Sequence, residues 1–311
     1  MNDFRIEGNV EKDAVPKILR AGFVYLVCAI FIDTPVWAQY ITTGDVAGWE
    51  SPHADARINY GTDPLQFVEL RLPKSPGSYP IAIIIHGGCW LAQYDVKHIG
   101  RFASAVTELG IATWSLEYRR VGDAGGGWPG TFQDIARGAD HLSVVANKYS
   151  LDLNRVIVIG HSSGGHLALW LAARRQLPQE SSLFSANPIS IQGVLALAPA
   201  TDLQHRHRVG VCDGVVDKLM GGSPEAVPDH YRQGSPSEML PLGVKQVILI
   251  GDHDTQSRIA ASNMYFERAK QAGDSIKIIR AEESAHFEVI APHSSTWKLV
   301  RDAALSLLKM D

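Results

Sequence analysis

The chain has 311 residues, 45% of them hydrophobic and 20% charged, with 28 Gly and 16 Pro; this ordinary globular usage excludes a disordered, collagenous or repeat-built chain. Its 29 basic and 33 acidic residues are scattered and leave a net charge of −4, so there is no basic stripe to hold a nucleic acid. Three Cys, at 28, 89 and 212, are too few for a disulfide-built scaffold or a four-cysteine zinc site.

The first segment reads separately from the rest. Lys17 and Arg20 precede a 12-residue apolar run, Ala21 to Ile32, and Val36-Trp37-Ala38 follows with small side chains at a cleavage position. A charged n-region, a short h-region and a V-x-A site predict a secretory signal over 1–38, cut after Ala38. The run is too short to span a bilayer, which takes about 20 helical residues. A buried or interfacial helix is the alternative, and the acidic stretch before Lys17 departs from the usual pattern, which leaves open a start later than Met1 or an uncleaved anchor. Cleavage implies export, periplasmic or secreted, with no membrane span left; without it the chain is membrane-anchored or cytoplasmic. The remaining residues, 39–311, suit one catalytic domain.

Apolar β-forming runs then predict strands at Gln66–Leu72, Pro80–Ile85, Ile111–Leu116, Arg155–Ile159, Ile191–Leu197, Gln246–Ile250 and Ser275–Ile279. Helical periodicity predicts His98–Leu109, Phe132–Lys148, Gly165–Arg175, Ile259–Ala272 and Ser295–Lys309. Continuous apolar strands alternating with helices mean an α/β fold, a mostly parallel sheet covered on both faces. Gln66–Leu72 alternates instead, as an exposed antiparallel edge would. Residues 201–239 break the rhythm, and an insertion there is expected to form a lid over the strand carboxyl ends, where such sheets bind ligands.

The chemistry sits at predicted strand ends. Val156 to His166 reads strand, tight turn, helix, and contains G-x-S-x-G in one register: Gly160, Ser162, Gly164. A serine on so sharp an elbow crowds its neighbours, and glycines two before and two after remove the clash. Ser162 is therefore the expected nucleophile. Acyl transfer also needs two N–H donors for the developing oxyanion: one from the residue after the nucleophile, Ser163, and one from a loop after an early strand. Ile83-Ile84-Ile85-His86-Gly87-Gly88-Cys89-Trp90 offers the amides of Gly88 or Cys89. The acid must follow, and Gly251-Asp252-His253-Asp254 ends the Gln246 strand; Asp254 is preferred and Asp252 stays open. The base must come last, and His286 lies in the loop after the final strand.

His86 is expected to brace the oxyanion loop, His166 to be packed within its helix, and Glu117-Tyr118-Arg119-Arg120 to form a buried ion-pair network or a loop anchor. His205 and His207 lack a third ligand, so no metal is expected. The insertion, Trp90 and Trp128 are expected to wall the pocket, with Trp90 contacting substrate. After signal cleavage Cys89 and Cys212 remain. Free thiols are the expected state, and a disulfide would require Cα atoms about 4.4–6.8 Å apart.

The motifs HGGCW, EYRR, GWPGTFQD, GHSSGGHLALW, GDHD and SAHFE together resemble the α/β-hydrolase superfamily, and its esterase/kynurenine-formamidase-like branch in particular. The likeness runs from about Tyr60 to the C-terminus. It implies the α/β-hydrolase fold with Ser162 as nucleophile, His286 as base, Asp254 as orienting acid, and oxyanion donors at Gly88, Cys89 and Ser163. One departure stands out: such chains commonly read D-x-x-V-P after the acid, whereas Thr255-Gln256-Ser257-Arg258 follow Asp254. The expected activity is hydrolysis of small to medium, partly aromatic carboxylic esters through an acyl-enzyme, without a cofactor. An arylformamidase, a prolyl-oligopeptidase-like peptidase and a non-catalytic binding protein are the alternatives. The expected partner is a small ester or amide; oligomeric state cannot be read from the sequence.

Overall fold

The computed structural model describes residues 40–310; the expected signal segment lies outside them. In chain order the elements begin with α1 (Thr43–Ala47), β1 (Ala56–Asn59), β2 (Phe67–Arg71), β3 (Tyr79–Ile85) and α2 (Gly100–Thr107). They continue with β4 (Ala112–Leu116), α3 (Gly130–Asp140), α4 (Leu142–Val145), β5 (Leu151–His161), α5 (Ser163–Ala173) and β6 (Gly193–Leu197). The last third holds α6 (Leu203–Arg208), α7 (Val211–Met220), α8 (Pro228–Gly234), β7 (Lys245–Gly251), α9 (Gln256–Gln271), β8 (Ile276–Ala281) and α10 (Trp297–Leu308).

Eight strands form one sheet in the order β1-β2-β4-β3-β5-β6-β7-β8. The pairs β1/β2 and β2/β4 are antiparallel, and every later pair is parallel. Strands buried on both faces need apolar side chains throughout, and alternate residues serve opposite layers. Thus Ile81, Ile83 and Ile85 of β3 pack with Val156, Val158 and Trp170 on one side. Ala82 and Ile84 pack with Ile157, Ile159 and Phe102 on the other. The first layer is covered by α3, α5 and α9 through Phe132, Leu167 and Tyr265; the second by α2 and α10 through Val106 and Leu307. Helix α5 is apolar all round and every one of its residues is buried, as a helix sandwiched inside a domain requires.

Two expectations need correction. The Gln66–Leu72 run is antiparallel but is not the edge: β1 pairs outside it, and Phe67, Val68, Leu70 and Arg71 of β2 are all buried. The alternation that suggested exposure comes from Arg71, whose Nη2 donates to the Pro52 carbonyl at 2.8 Å and to Glu69. The true edge, β1, reads ARIN and carries no apolar run to announce it. The helix expected over Phe132–Lys148 breaks at His141 into α3 and α4 and ends in a 3₁₀ turn, Ala146–Tyr149. Here Trp114 Nε1 donates to the Gly138 carbonyl at 2.8 Å, taking the acceptor that an i+4 amide would use. The insertion at 201–239 folds into α6, α7 and α8. Among the described residues no helix is long and apolar enough to cross a membrane.

Candidate active site

Parallel register gathers the site. Ile85 lies opposite Gly160, His161 opposite Leu197, Leu197 opposite Leu249, and Gly251 opposite Ala281. Strands β3, β5, β6, β7 and β8 therefore end at one level, and their following loops emerge side by side. Those loops carry Gly88–Cys89, Ser162, the insertion, Asp254 and His286.

Between β5 and α5 the chain turns at Ser162, whose φ of 55° and ψ of −115° form a strained elbow. A Cβ on Gly160 would sit 2.1 Å from the Gly164 carbonyl oxygen, so the spacing read from sequence reflects real contact. The loop after β3 passes directly over this turn: a Cβ on Gly87 would lie 3.2 Å from Ser162 Cβ. Gly88 has φ of 110°, and Cys89 and Trp90 also hold positive φ, 54° and 55°. A side chain at Gly88 would meet Tyr94 Cβ at 2.4 Å, so glycine is required twice over there. Beneath the loop, His86 Nε2 lies 3.3 Å from Glu117 Oε1, and Arg120 Nη1 pairs with the same carboxylate at 2.8 Å. This is the bracing network expected from HGG and EYRR.

His286 Nδ1–H donates to Asp254 Oδ2 at 2.9 Å, which leaves Nε2 of the neutral ring as its basic atom. Asp254, not Asp252, meets the histidine. The Asp254 side chain is 1% exposed, whereas that of Asp252 is 38% exposed and is held by His253 and the Ser284 amide. Asp254 Oδ1 accepts from the Thr255 amide at 2.6 Å and from Arg258 Nη1. Burial opposes ionisation of Asp254, but the His286 hydrogen bond and charge, with Arg258, outweigh it and hold the carboxyl down at about 2. Burial, then the Arg258 charge, press the His286 pKa below its ordinary value; Asp254 only partly restores it.

Sequence reasoning missed three residues of this site. His161 Nε2–H donates to the His286 carbonyl at 3.0 Å; its Nδ1 then accepts from His98 Nε2–H at 3.4 Å. Burial lowers His98 to about 3 and His161 well below the ordinary histidine value, so this stack is neutral and its tautomers are set by hydrogen bonds. Its only sequence signal was His161 beside the nucleophile position. Arg258 was visible as the departure from D-x-x-V-P. A cavity of about 220 Å³ brings together Gly88, Cys89, His161, Ser162, Arg258 and His286. A second cavity of about 480 Å³ shares Thr43, Tyr94 and His98 with it.

The expected pocket wall is different. Trp90 is 2% exposed and its indole N–H donates to His166 Nδ1 at 3.2 Å, so it is core beneath the loop and does not line the cavity. Trp128 stacks on His230 at 4.4 Å, against α8. His166 is buried as expected; its Nε2–H donates to the Gly234 carbonyl at 2.8 Å, and burial takes it down to about 4. Contrary to the free thiols expected, Cys89 and Cys212 are joined in a disulfide with Cα atoms 6.2 Å apart. It ties the insertion to the loop over Ser162. His205 contacts Ser257 Oγ at 3.1 Å, and His207 meets Asp217; among the described residues no three His, Cys, Asp or Glu are grouped to hold a metal ion.

The chain is similar to several esterases. It is 26% identical over 248 residues to the probable isoprenylcysteine alpha-carbonyl methylesterase of Oryza sativa subsp. japonica, covering 75% of this chain and 58% of that one. It is 23% identical over 225 residues to esterase LipC of Mycobacterium tuberculosis, covering 69% and 54%. The chain thus spans about half the length of the curated relatives it matches. Esterase B from Lactobacillus rhamnosis superposes with a TM-score of 0.73 at 21% identity, covering 85% of this chain and 89% of that one. A truncated carbohydrate esterase from gut microbiota superposes with a TM-score of 0.71 at 20% identity, covering 84% and 99%. The BD-FAE family matches residues 68–268, well over half of the chain. The chain belongs to the BD-FAE family, and its fold is the α/β-hydrolase fold.

Proposed function

We propose that the protein is a serine esterase that cleaves carboxylic esters through an acyl-enzyme on Ser162. The observation that carries this reading is the pairing of His286 Nδ1–H with a buried, ionised Asp254 at 2.9 Å in the loops that flank the Ser162 elbow. Neutral His286 takes the Ser162 proton through Nε2, and the hydroxyl oxygen attacks the ester carbonyl. The carbonyl oxygen becomes an oxyanion held by the amides of Ser163 and of Gly88 or Cys89. Protonated His286 gives its proton to the departing alcohol. Water then attacks the acyl-enzyme with His286 again acting as base; His286 returns the proton to Ser162 Oγ as the ester bond to Ser162 breaks, and the free acid leaves. No cofactor takes part in this sequence. The 220 Å³ cavity suits a short acyl group, with bulkier alcohol parts extending toward the adjoining cavity. The esterase and carbohydrate-esterase names of similar proteins favour an ester over a formamide or peptide bond. The Cys89–Cys212 disulfide supports export through the segment read as a signal, since such bonds persist in oxidising compartments.

The test is labelling with a fluorophosphonate, followed by p-nitrophenyl esters, N-formyl-kynurenine and aminoacyl-anilides. Labelling at Ser162 with ester turnover is expected. Labelling at another residue, or none, overturns the proposal, and turnover confined to the formamide or the anilides moves the substrate class.

A further inference from the structure

Two buried arginines on neighbouring helices, Arg206 and Arg258, have no role in acyl transfer. Arg258 lines the cavity that holds Ser162 and His286. Its Nη1 donates to Asp254 Oδ1, while its Nε is buried with no partner among the described residues. Arg206, on α6, is 4% exposed, its Nε is also buried without a partner, and no ion pair reaches its guanidinium among the described residues. The hydrogen bond between His205 and Ser257 at 3.1 Å draws α6 onto the start of α9, and Arg206 and Arg258 are the next residues along these two helices. Burial and the Arg258 charge bring Arg206 down to about 10, with Asp254 opposing, and the charge of Arg206 in turn disfavours protonation of His286.

The charge balance here is uneven. Arg258 is paired with Asp254, which already serves His286, and Arg206 has no ion pair among the described residues. A guanidinium has five N–H donors, yet among the described residues only Nη1 of Arg258, of the pair, meets an acceptor from a side chain. Buried charge that lacks a counter-ion costs stability, and a planar guanidinium fork matches a carboxylate two bonds at a time. We propose that Arg206 and Arg258 form an anion-recognition subsite next to His286, and that the preferred substrates are esters carrying a carboxylate a few atoms from the scissile carbonyl. The inference deepens the esterase reading and rests on Ser162 and His286 as the reacting pair. The carboxylate enters a small cavity of low dielectric, where the charge pair is stronger than in water.

Matched ester pairs test this. On the acyl side, mono-p-nitrophenyl glutarate is compared with p-nitrophenyl valerate; on the alcohol side, 4-butyryloxybenzoate is compared with its methyl ester. In one pair the acidic ester should have the higher kcat/KM by about tenfold or more, mainly through KM, and added salt should shrink the ratio. Arg206→Met should cut that acidic-to-neutral ratio by about tenfold or more, and Arg206→Lys by less. The pair that responds identifies the side on which the carboxylate sits. Equal kcat/KM within both pairs, or equal losses on acidic and neutral esters in Arg206→Met, would mean that the arginines only position Asp254, and the inference falls. Calorimetric titration of Ser162→Ala with monomethyl glutarate and with methyl valerate reads the subsite without turnover: tighter binding of the charged ester supports it, and equal binding overturns it. Complete failure to hydrolyse any of the four esters would instead overturn the esterase reading and leave the titration to decide the subsite.

Discussion

Reduction of the Cys89–Cys212 bridge perturbs stability and site geometry together. The bond closes 123 residues of chain, and loop-closure entropy for that length is worth about 5 kcal/mol. Part of this is offset in the native state, because α7 opens with Cys212 and Asp213 at φ of 52° and 55°, conformations that cost roughly 1–2 kcal/mol each outside glycine. If reduction lets both relax, the net loss is about 2 kcal/mol. Urea unfolding with and without dithiothreitol, and of Cys212→Ser, should show a lower midpoint of that size. Because Cys89 carries a candidate oxyanion amide, KM should rise in the reduced protein at urea concentrations where it is still folded. Unreduced, denatured full-length chain should titrate one thiol, Cys28, and reduced chain three. Three thiols without reductant, or an unchanged midpoint and KM, would refute the reasoning.

Ser162→Ala should fold normally and lose about 10⁵–10⁶ in kcat, whereas Ser163→Ala, whose buried hydroxyl has no partner among the described residues, should lose little; equal losses would displace the nucleophile to another register. Asp254→Asn should cost about 10⁴ in kcat by setting the wrong His286 tautomer, with Asp252→Asn much milder, and the opposite ranking in steady-state kinetics would transfer the role. The acid limb of kcat/KM should fall below the ordinary histidine value of about 6.5, since burial and Arg258 depress His286. His286 works only when neutral, so activity is lost as pH drops through its pKa. Arg258→Met removes one depressing charge and should move that limb to higher pH; a limb that stays in place or moves down counts against the assignment. Arg206→Met should raise the urea midpoint, by about 1 kcal/mol or more, because it replaces a buried charge with apolar packing; a lower midpoint would mean that Arg206 has a stabilising partner.

The sequence by itself determined most of the frame. Strands buried on both faces must be apolar, so β3, β5, β6 and β7 announced themselves. The elbow needs Gly160 and Gly164 within five residues of one another, which makes Ser162 legible wherever the turn forms. His286 could be named from chain order once the last strand was placed. What escaped was decided by contacts between distant segments. The edge strand β1 has no apolar signal because only its pairing with β2 makes it a strand. Trp90 adjoins the candidate oxyanion loop, but its side chain points beneath that loop toward His166, a direction set by the positive φ at Cys89 and Trp90. Asp252 and Asp254 are both plausible by spacing, and only the approach of the Ser284–His286 loop to β7 chooses between them. The Cys89–Cys212 bond and the Arg206–Arg258 neighbourhood each join parts of the chain more than 50 residues apart, at distances that composition and periodicity do not encode. Local pattern is written in the sequence because it acts within a few residues; the disulfide, the choice of acid and the charge beside His286 depend on how loops from different strands meet in space.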